Sequence, residues 1–175
     1  MKIRTGGPDD APALLALLDG AVAWLVSRGR TGQWGTEPWS TRPAAVERIG
    51  RYTTDYLVRV AESADGQPVG VCVLAEEPPS YATPVAEREL YVRLLVTDRS
   101  RSGSGIGAAL IEDARAETRR RGISLLRVDC FGGDDRRLVG RYEALGFTAT
   151  DAFTVDQPNG GGPWPGQILE QRLTL

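Results

Sequence analysis

The chain has 175 residues, 41% hydrophobic and 25% charged, with a formal net charge of −2, a balance that suits one globular α/β-sized domain. It holds no histidine, a single lysine (Lys2) and two cysteines (Cys72 and Cys130), which excludes Ser-His-Asp and Cys-His catalysis and any zinc site built on imidazole or on four thiolates. The slight acidity argues against nucleic-acid or anionic-membrane partners, since both attract basic surfaces.

At the N-terminus, residues 2–5 predict a short strand. No apolar h-region is evident there, and no apolar run nears the roughly 18 residues of a membrane helix, so a cytoplasmic location is expected. Gly7 then reads as a helix cap, with Pro8 at the first helical position and Asp9 and Asp10 in the first turn, where carboxylates meet the positive end of the dipole. Leu14, Leu15, Leu18, Val22 and Leu25 recur at helical spacing, which carries that helix to about Arg28. Residues 29–42, with Trp34 and Trp39, predict an ordered loop, and Pro43 opens a second helix to about Tyr52.

Residues 55–61 and 69–75 predict two strands joined at Asp65-Gly66, a hairpin signal. A Pro-rich loop over 76–87 leads to a strand at 89–97. A long helix over about 104–121 closes at Gly122, and a strand follows at 123–130. A fourth helix covers about 135–145, with Asp134 as its cap. Two last strands, near 147–155 and 167–174, flank a loop holding Pro158, Gly160 to Gly162, Pro163, Trp164 and Pro165. No repeat and no linker divides residues 1–175, so a single domain is expected.

The segment with the most chemistry is Thr97-Asp98-Arg99-Ser100-Arg101-Ser102-Gly103-Ser104-Gly105-Ile106-Gly107-Ala108. It leaves a strand and opens a helix. Glycines admit left-handed backbone and close ligand approach, and the first helical turn aims unpaired N–H groups outward. Together they form an anion site suited to phosphate. Gly103, Gly105 and Ala108 also satisfy the dinucleotide pattern, with Asp129 downstream as a ribose ligand. Two facts count against that pattern: the five residues Asp98 to Ser102 separate the strand from the first glycine, and too little chain follows Asp129 for the remaining strands. A Walker loop is excluded because no Gly-Lys pair exists.

The string L-V-T-D-R-S-R-S-G-S-G-I-G-A-A-L, from Leu95 to Leu110, resembles the acetyl-CoA motif of GNAT-type N-acetyltransferases. Downstream, R-Y-E-A-L-G-F, from Arg141 to Phe147, resembles the family's Y-E-x-x-G-F signature. The G-Q-W-G segment (Gly32 to Gly35) and Trp164-Pro165-Gly166 are similar to those of small actinobacterial members. In two places the chain departs from the pattern: Ser102 fills the usual Arg/Gln position, and Asp135 stands where Asn is common.

The resemblance implies a mixed, mostly antiparallel seven-stranded sheet with splayed central strands and about four helices on both faces. Acetyl-CoA would be the co-substrate, with no metal. Its pantetheine arm would meet main-chain groups of Leu95, Val96 and Thr97. Its pyrophosphate would sit on amides of Ser102, Gly103, Ser104, Gly105, Ile106, Gly107 and Ala108, with Asp135 bordering the cofactor. Tyr142 would protonate the departing thiolate. With no histidine available, a carboxylate working through water is the expected base: Glu89 first, with Asp129 or Asp55 in reserve. Trp34, Trp39 and Trp164 would line an apolar acceptor site. The implied reaction is direct attack of a small-molecule primary amine on the thioester. Protein lysine or N-terminal acetylation, and a non-catalytic acyl-CoA sensor, remain alternatives. Homodimers are common in that family.

Overall fold

A computed structural model describes residues 1–157 and 161–175; Pro158 and Gly160 of the predicted last loop lie outside the described residues. In chain order the elements are β1 (Lys2–Thr5), α1 (Ala11–Ser27), α2 (Pro43–Asp55), β2 (Leu57–Glu62), β3 (Pro68–Ala75), β4 (Leu90–Thr97), α3 (Ile106–Arg120), β5 (Leu125–Phe131), α4 (Arg137–Ala144), β6 (Thr148–Val155) and β7 (Trp164–Arg172). The seven strands follow the order β1-β2-β3-β4-β5-β7-β6 among the described residues. Pairing is antiparallel in β1–β2, β2–β3, β5–β7 and β6–β7 and parallel in β4–β5, so the sheet is mixed and mostly antiparallel, as expected.

The chain forms two compact units, Met1–Ala75 with Leu94–Ala114, and Glu76–Arg93 with Arg115–Leu175. Both β4 and α3 therefore begin in one unit and end in the other. The β4–β5 ladder holds three pairs, Leu90–Leu126, Tyr91–Arg127 and Val92–Val128. β4 leaves the second unit at Arg93, directly after the last of these pairs.

In the first unit, Leu14, Leu18, Ala21 and Val22 of α1 pack with Ala45 and Ile49 of α2 and with Val58, Val60, Val71 and Val73 of β2 and β3. Leu14, Leu18 and Ile49 are fully buried, each a gain of about 1.5–3 kcal/mol over exposure. Gly6 and Gly7 lead into a 3₁₀ turn at Pro8–Asp10, and the Asp10 carboxylate accepts the Gly7 N–H at 2.9 Å. Gly70 in β3 admits α3: a Cβ there would stand 2.6 Å from Ile106 Cγ2 and 3.0 Å from Leu110 Cδ1. The start of α3 is thus seated on a strand position that only glycine fills.

In the second unit, β7 lies between β5 and β6, and its ladder with β5 runs from Leu125–Arg172 to Phe131–Gly166. Val139 and Tyr142 are the buried residues of α4. Gly122 closes α3 in the left-handed region at φ 70°, with its N–H on Arg119 O.

Three expectations are corrected. Asp134 does not cap α4: Asp134, Asp135 and Arg136 all adopt positive φ, and Arg136 occupies the cap position with no side-chain bond. The two glycines before them, Gly132 and Gly133, break the regular chain, and the turn is left-handed rather than the start of a helix. Trp164 and Pro165 belong to β7 rather than to the loop: Trp164 pairs with Val155 and Pro165 with Thr154. Finally, Pro8–Ser27 is, by length and composition, apolar enough to cross a membrane, at 20 residues and mean hydropathy 1.4. Leu14, Leu18, Ala21, Val22 and Leu25 of that segment are buried within the protein.

Candidate active site

The glycine-rich loop lies wholly in the first unit. Its entry is tied down by the Asp98 N–H on Val69 O at 2.8 Å. Asp98 then accepts the N–H and hydroxyl of Ser100 at 3.0 and 2.7 Å and pairs with Arg101 at 3.4 Å. Those Ser100 bonds, ahead of the Arg101 charge, hold the Asp98 carboxyl below its usual range. Gly103 and Gly105 adopt φ 84° and 81°. A Cβ at either would touch nothing, so the backbone angle and not space requires glycine. Ser102 to Gly105 are exposed, and Ile106 turns inward. Ala109 N–H bonds Gly105 O at 3.0 Å, which begins the helical ladder. The amides of Ile106, Gly107 and Ala108 precede it and are the free donors of a helix start. An exposed, left-handed backbone followed by such donors fits a diphosphate.

Leu95, Val96 and Thr97 lead into this loop on β4; Val96 is buried in the core and its two neighbours are half-buried. Arg99, adjacent to the loop, lies over the Trp24 ring at 4.1 Å, as does Arg28 at 4.4 Å. Trp34 and Trp39 also belong to the first unit. They meet edge to face at 5.8 Å, and Trp39 is a core residue 7% exposed. The Trp39 ring packs among Leu, Val and Ile side chains of the core.

The second unit holds the titratable candidates. Tyr142 is buried on α4, with its ring edge to face on Phe147 at 5.7 Å. Asp135 is exposed and pairs with Arg137 at 3.4 Å. Glu89 is only 4% exposed, and its Oε2 accepts from Arg127 Nη1 at 2.9 Å. Arg127, 2% exposed, also donates to Thr83 O at 2.8 Å and lies over the Tyr91 ring at 5.7 Å. Glu89 is thus committed to neutralising a buried guanidinium, an arrangement that a base would have to break at each turnover.

Asp129 differs. It is the reserve carboxylate of the sequence reading, on β5, and it accepts the Tyr91 hydroxyl at 2.6 Å and the Tyr81 hydroxyl at 3.2 and 3.4 Å. Burial raises its pKa; the tyrosine bonds and the charges of Arg93 and Arg127 offset part of that rise. Neighbouring Cys130 is buried, and desolvation pushes its thiol up to about 12, which leaves almost no thiolate at neutral pH. Tyr81, Tyr91, Phe153 and Arg127 carry no motif, and they reach this site through loop folding and strand register. Of these, Arg127 alone had a sequence signal, the alternation of β5 that sets Arg127, Asp129 and Phe131 on one face. Among the described residues, no group of three His, Cys, Asp or Glu is arranged to hold a metal ion.

The chain is similar in fold to a protein proposed to be a phosphinothricin N-acetyltransferase, at 22% identity and TM-score 0.72 over 99% of both chains. It is likewise similar to the ribosomal-protein-alanine N-acetyltransferase of Brucella melitensis, at 21% identity and TM-score 0.66 over 99% of this chain and 100% of that one. The yncA protein of Salmonella typhimurium, solved with its cofactor acetyl-CoA, matches at 18% identity and TM-score 0.65 over 99% of this chain and 94% of that one. No curated protein matches the sequence. The model of the acetyltransferase (GNAT) family matches residues 18–147, which include the loop, both central strands and Tyr142, and the chain belongs to that family.

Proposed function

We propose that this acyltransferase moves the acetyl group of acetyl-CoA to a primary amine of a small molecule by direct attack. The observation that carries the cofactor half is the exposed turn at Gly103 and Gly105, whose left-handed backbone runs into the free amides of α3. In this reading the pyrophosphate rests on amides from Ser102 to Ala108, and the main chain of Leu95 to Thr97 receives the pantetheine arm. The thioester supplies an activated acyl carbon, so positioning can account for much of the acceleration.

Tyr142 gives its hydroxyl proton to the departing thiolate. A carboxylate takes a proton from the acceptor, and we assign that part to Asp129 in place of Glu89. Among the described residues Asp129 is held by two tyrosine hydroxyls, whereas Glu89 must leave Arg127. The apolar, aromatic surroundings of Asp129 favour a small-molecule acceptor over a basic protein tail.

The test is thiol release from acetyl-CoA across an amine panel, with peptides as the competing arm. Tyr142→Phe is expected to lower kcat about a hundredfold with acetyl-CoA affinity unchanged. A fall of less than about threefold would remove the acid role.

A further inference from the structure

The sheet face around Asp129 is built in rows. Antiparallel register sets Asp129 beside Ile168, and Phe131 beside Gly166; β6 sets Phe153 beside the same Gly166. Directly paired residues share a face. A Cβ at Gly166 would stand 2.2 Å from the Phe153 ring, and one at Gly133 would stand 2.4 Å from the Phe131 ring. Both rings therefore lie down over glycines. Trp164, two residues before Gly166 on the same face, meets Phe131 at 5.6 Å and Phe153 at 6.2 Å. From the 76–89 loop, Tyr81 stacks on Phe153 at 4.8 Å and 19°, is 45% exposed, and points its hydroxyl at Asp129. The result is an aromatic floor that ends at one carboxylate.

That carboxylate is unusual in this chain. Glu89, Asp113 and Glu117 are shielded from solvent too, and each has an arginine within 2.9 Å: Arg127, Arg59 and Arg120 respectively. Among the described residues Asp129 accepts two phenol hydroxyls, although a carboxylate offers about four acceptor positions. Tyr91 comes from β4 and Tyr81 from the loop, and the charges of Arg93 on β4 and Arg127 on β5 favour its ionised form. Removal from water makes its charge costly, and a bound cation would relieve that cost.

We infer that Asp129 and the rings of Tyr81, Phe153 and Trp164 form the acceptor subsite, and that the acceptor is a primary amine bearing a flat aromatic group. The ammonium sits on Asp129, and the aryl group lies against the exposed Tyr81–Phe153 stack. This inference rests on the acetyl-transfer reading above. Asp129 takes one ammonium proton, and the freed nitrogen attacks the thioester carbon. The C–S bond breaks with its electrons on sulfur, which takes a proton from Tyr142. The second nitrogen proton goes to water, and Asp129 and Tyr142 exchange their proton through solvent. The net products are the amide, the free thiol and one proton.

The experiment measures thiol release by the full chain with acetyl-CoA and either 2-phenylethylamine or n-hexylamine, beside acetyl-CoA affinity by calorimetry. Phenylethylamine is expected to be preferred about tenfold in kcat/KM, the size of effect that a ring-on-ring contact provides. Asp129→Asn should lower kcat/KM about a hundredfold or more for both amines, because the ammonium loses a half-buried counter-charge. Tyr81→Leu also removes a hydroxyl from Asp129, an effect both amines share, so the reading is the difference: KM should rise about fivefold more for phenylethylamine than for hexylamine, the selectivity that marks a ring contact. Acetyl-CoA affinity should stay constant in both variants. Acetyl transfer that is indifferent to Asp129→Asn, to Tyr81→Leu or to the aryl group would overturn the inference and leave the proposed function standing. Tight acetyl-CoA binding with no thiol release to any amine would overturn both. Since Tyr81 is exposed, its variant decides the point even where Asp129→Asn folds poorly.

Discussion

Glu89 and Asp129 are two shielded carboxylates in one unit of one protein, and they are solved in opposite ways. Glu89 sits at the edge of β4 and meets a guanidinium that is itself buried; Asp129 sits on β5 and meets two hydroxyls. Arg127 stands between them in sequence terms, two residues before Asp129, yet its side chain goes to Glu89 and Thr83. Burial alone therefore does not identify a chemical carboxylate. What separates the two is whether folding has already supplied the counter-charge. A satisfied ion pair holds loop to strand, and an unsatisfied carboxylate retains an electrostatic demand that a ligand can meet.

The comparison can be broken most forcefully at Arg127. Arg127→Met leaves Glu89 charged, buried and alone, so unfolding by denaturant should show a loss of about 3–5 kcal/mol. A loss below 1 kcal/mol would mean that Glu89 is not held as described.

The next contrast is between the two isosteric amides. Glu89→Gln should destabilise by about 1–3 kcal/mol, since Arg127 keeps its charge with a weaker partner. Asp129→Asn should leave stability equal or higher, because it removes a costly charge while retaining an acceptor for a tyrosine hydroxyl. Equal losses from both variants, measured side by side by chemical denaturation, would erase the distinction between the sites.

Gly70→Ala sharpens it from outside. The added Cβ must push Ile106 or Leu110 aside, so a loss of about 1–3 kcal/mol and weaker acetyl-CoA binding are expected, with Asp129-dependent amine selection intact. Calorimetric titration of acetyl-CoA, paired with amine KM values, reads both effects.

The smallest expected effect is in pH. The Asp129 pKa is raised in the folded protein, chiefly by burial. Between the unfolded value of 3.8 and the raised one, the folded state binds more protons, so this group's contribution to stability falls as pH rises through that window. Asp129→Asn should remove that slope from a series of denaturant midpoints, whereas Tyr142→Phe should leave it in place. An unchanged slope in Asp129→Asn would show that the carboxylate is not desolvated.

Much of the scaffold follows from local pattern. Pro8 and the two aspartates after it, the leucines of α1 at helical spacing, the Asp65-Gly66 turn and the closing Gly122 each announce a neighbouring element through backbone angle or periodicity. The turn over residues 103–108 was equally legible, because positive φ at Gly103 and Gly105 is a local requirement. The start of α4 was not. An aspartate after two glycines has the composition of a cap, but the same small and polar residues also tolerate a left-handed turn. Trp34 and Trp39 stood in a Gly- and Pro-rich segment, and nothing local distinguishes a loop tryptophan that borders a ligand from one that closes a core.

The absence of histidine, read from composition alone, determined that any proton transfer here must use tyrosine, carboxylate or water. The family motifs determined the glycine-rich loop and the class of reaction, since backbone geometry at glycine and a helix start are properties of contiguous residues. Which carboxylate meets an arginine and which meets tyrosine hydroxyls was decided only in three dimensions. Glu89 lies 38 residues before Arg127 and Asp129 lies 38 after Tyr91, and strand register, not sequence spacing, brings each pair together. The charge state of a buried acid depends on what its neighbours leave unpaired, and those neighbours are chosen by the sheet.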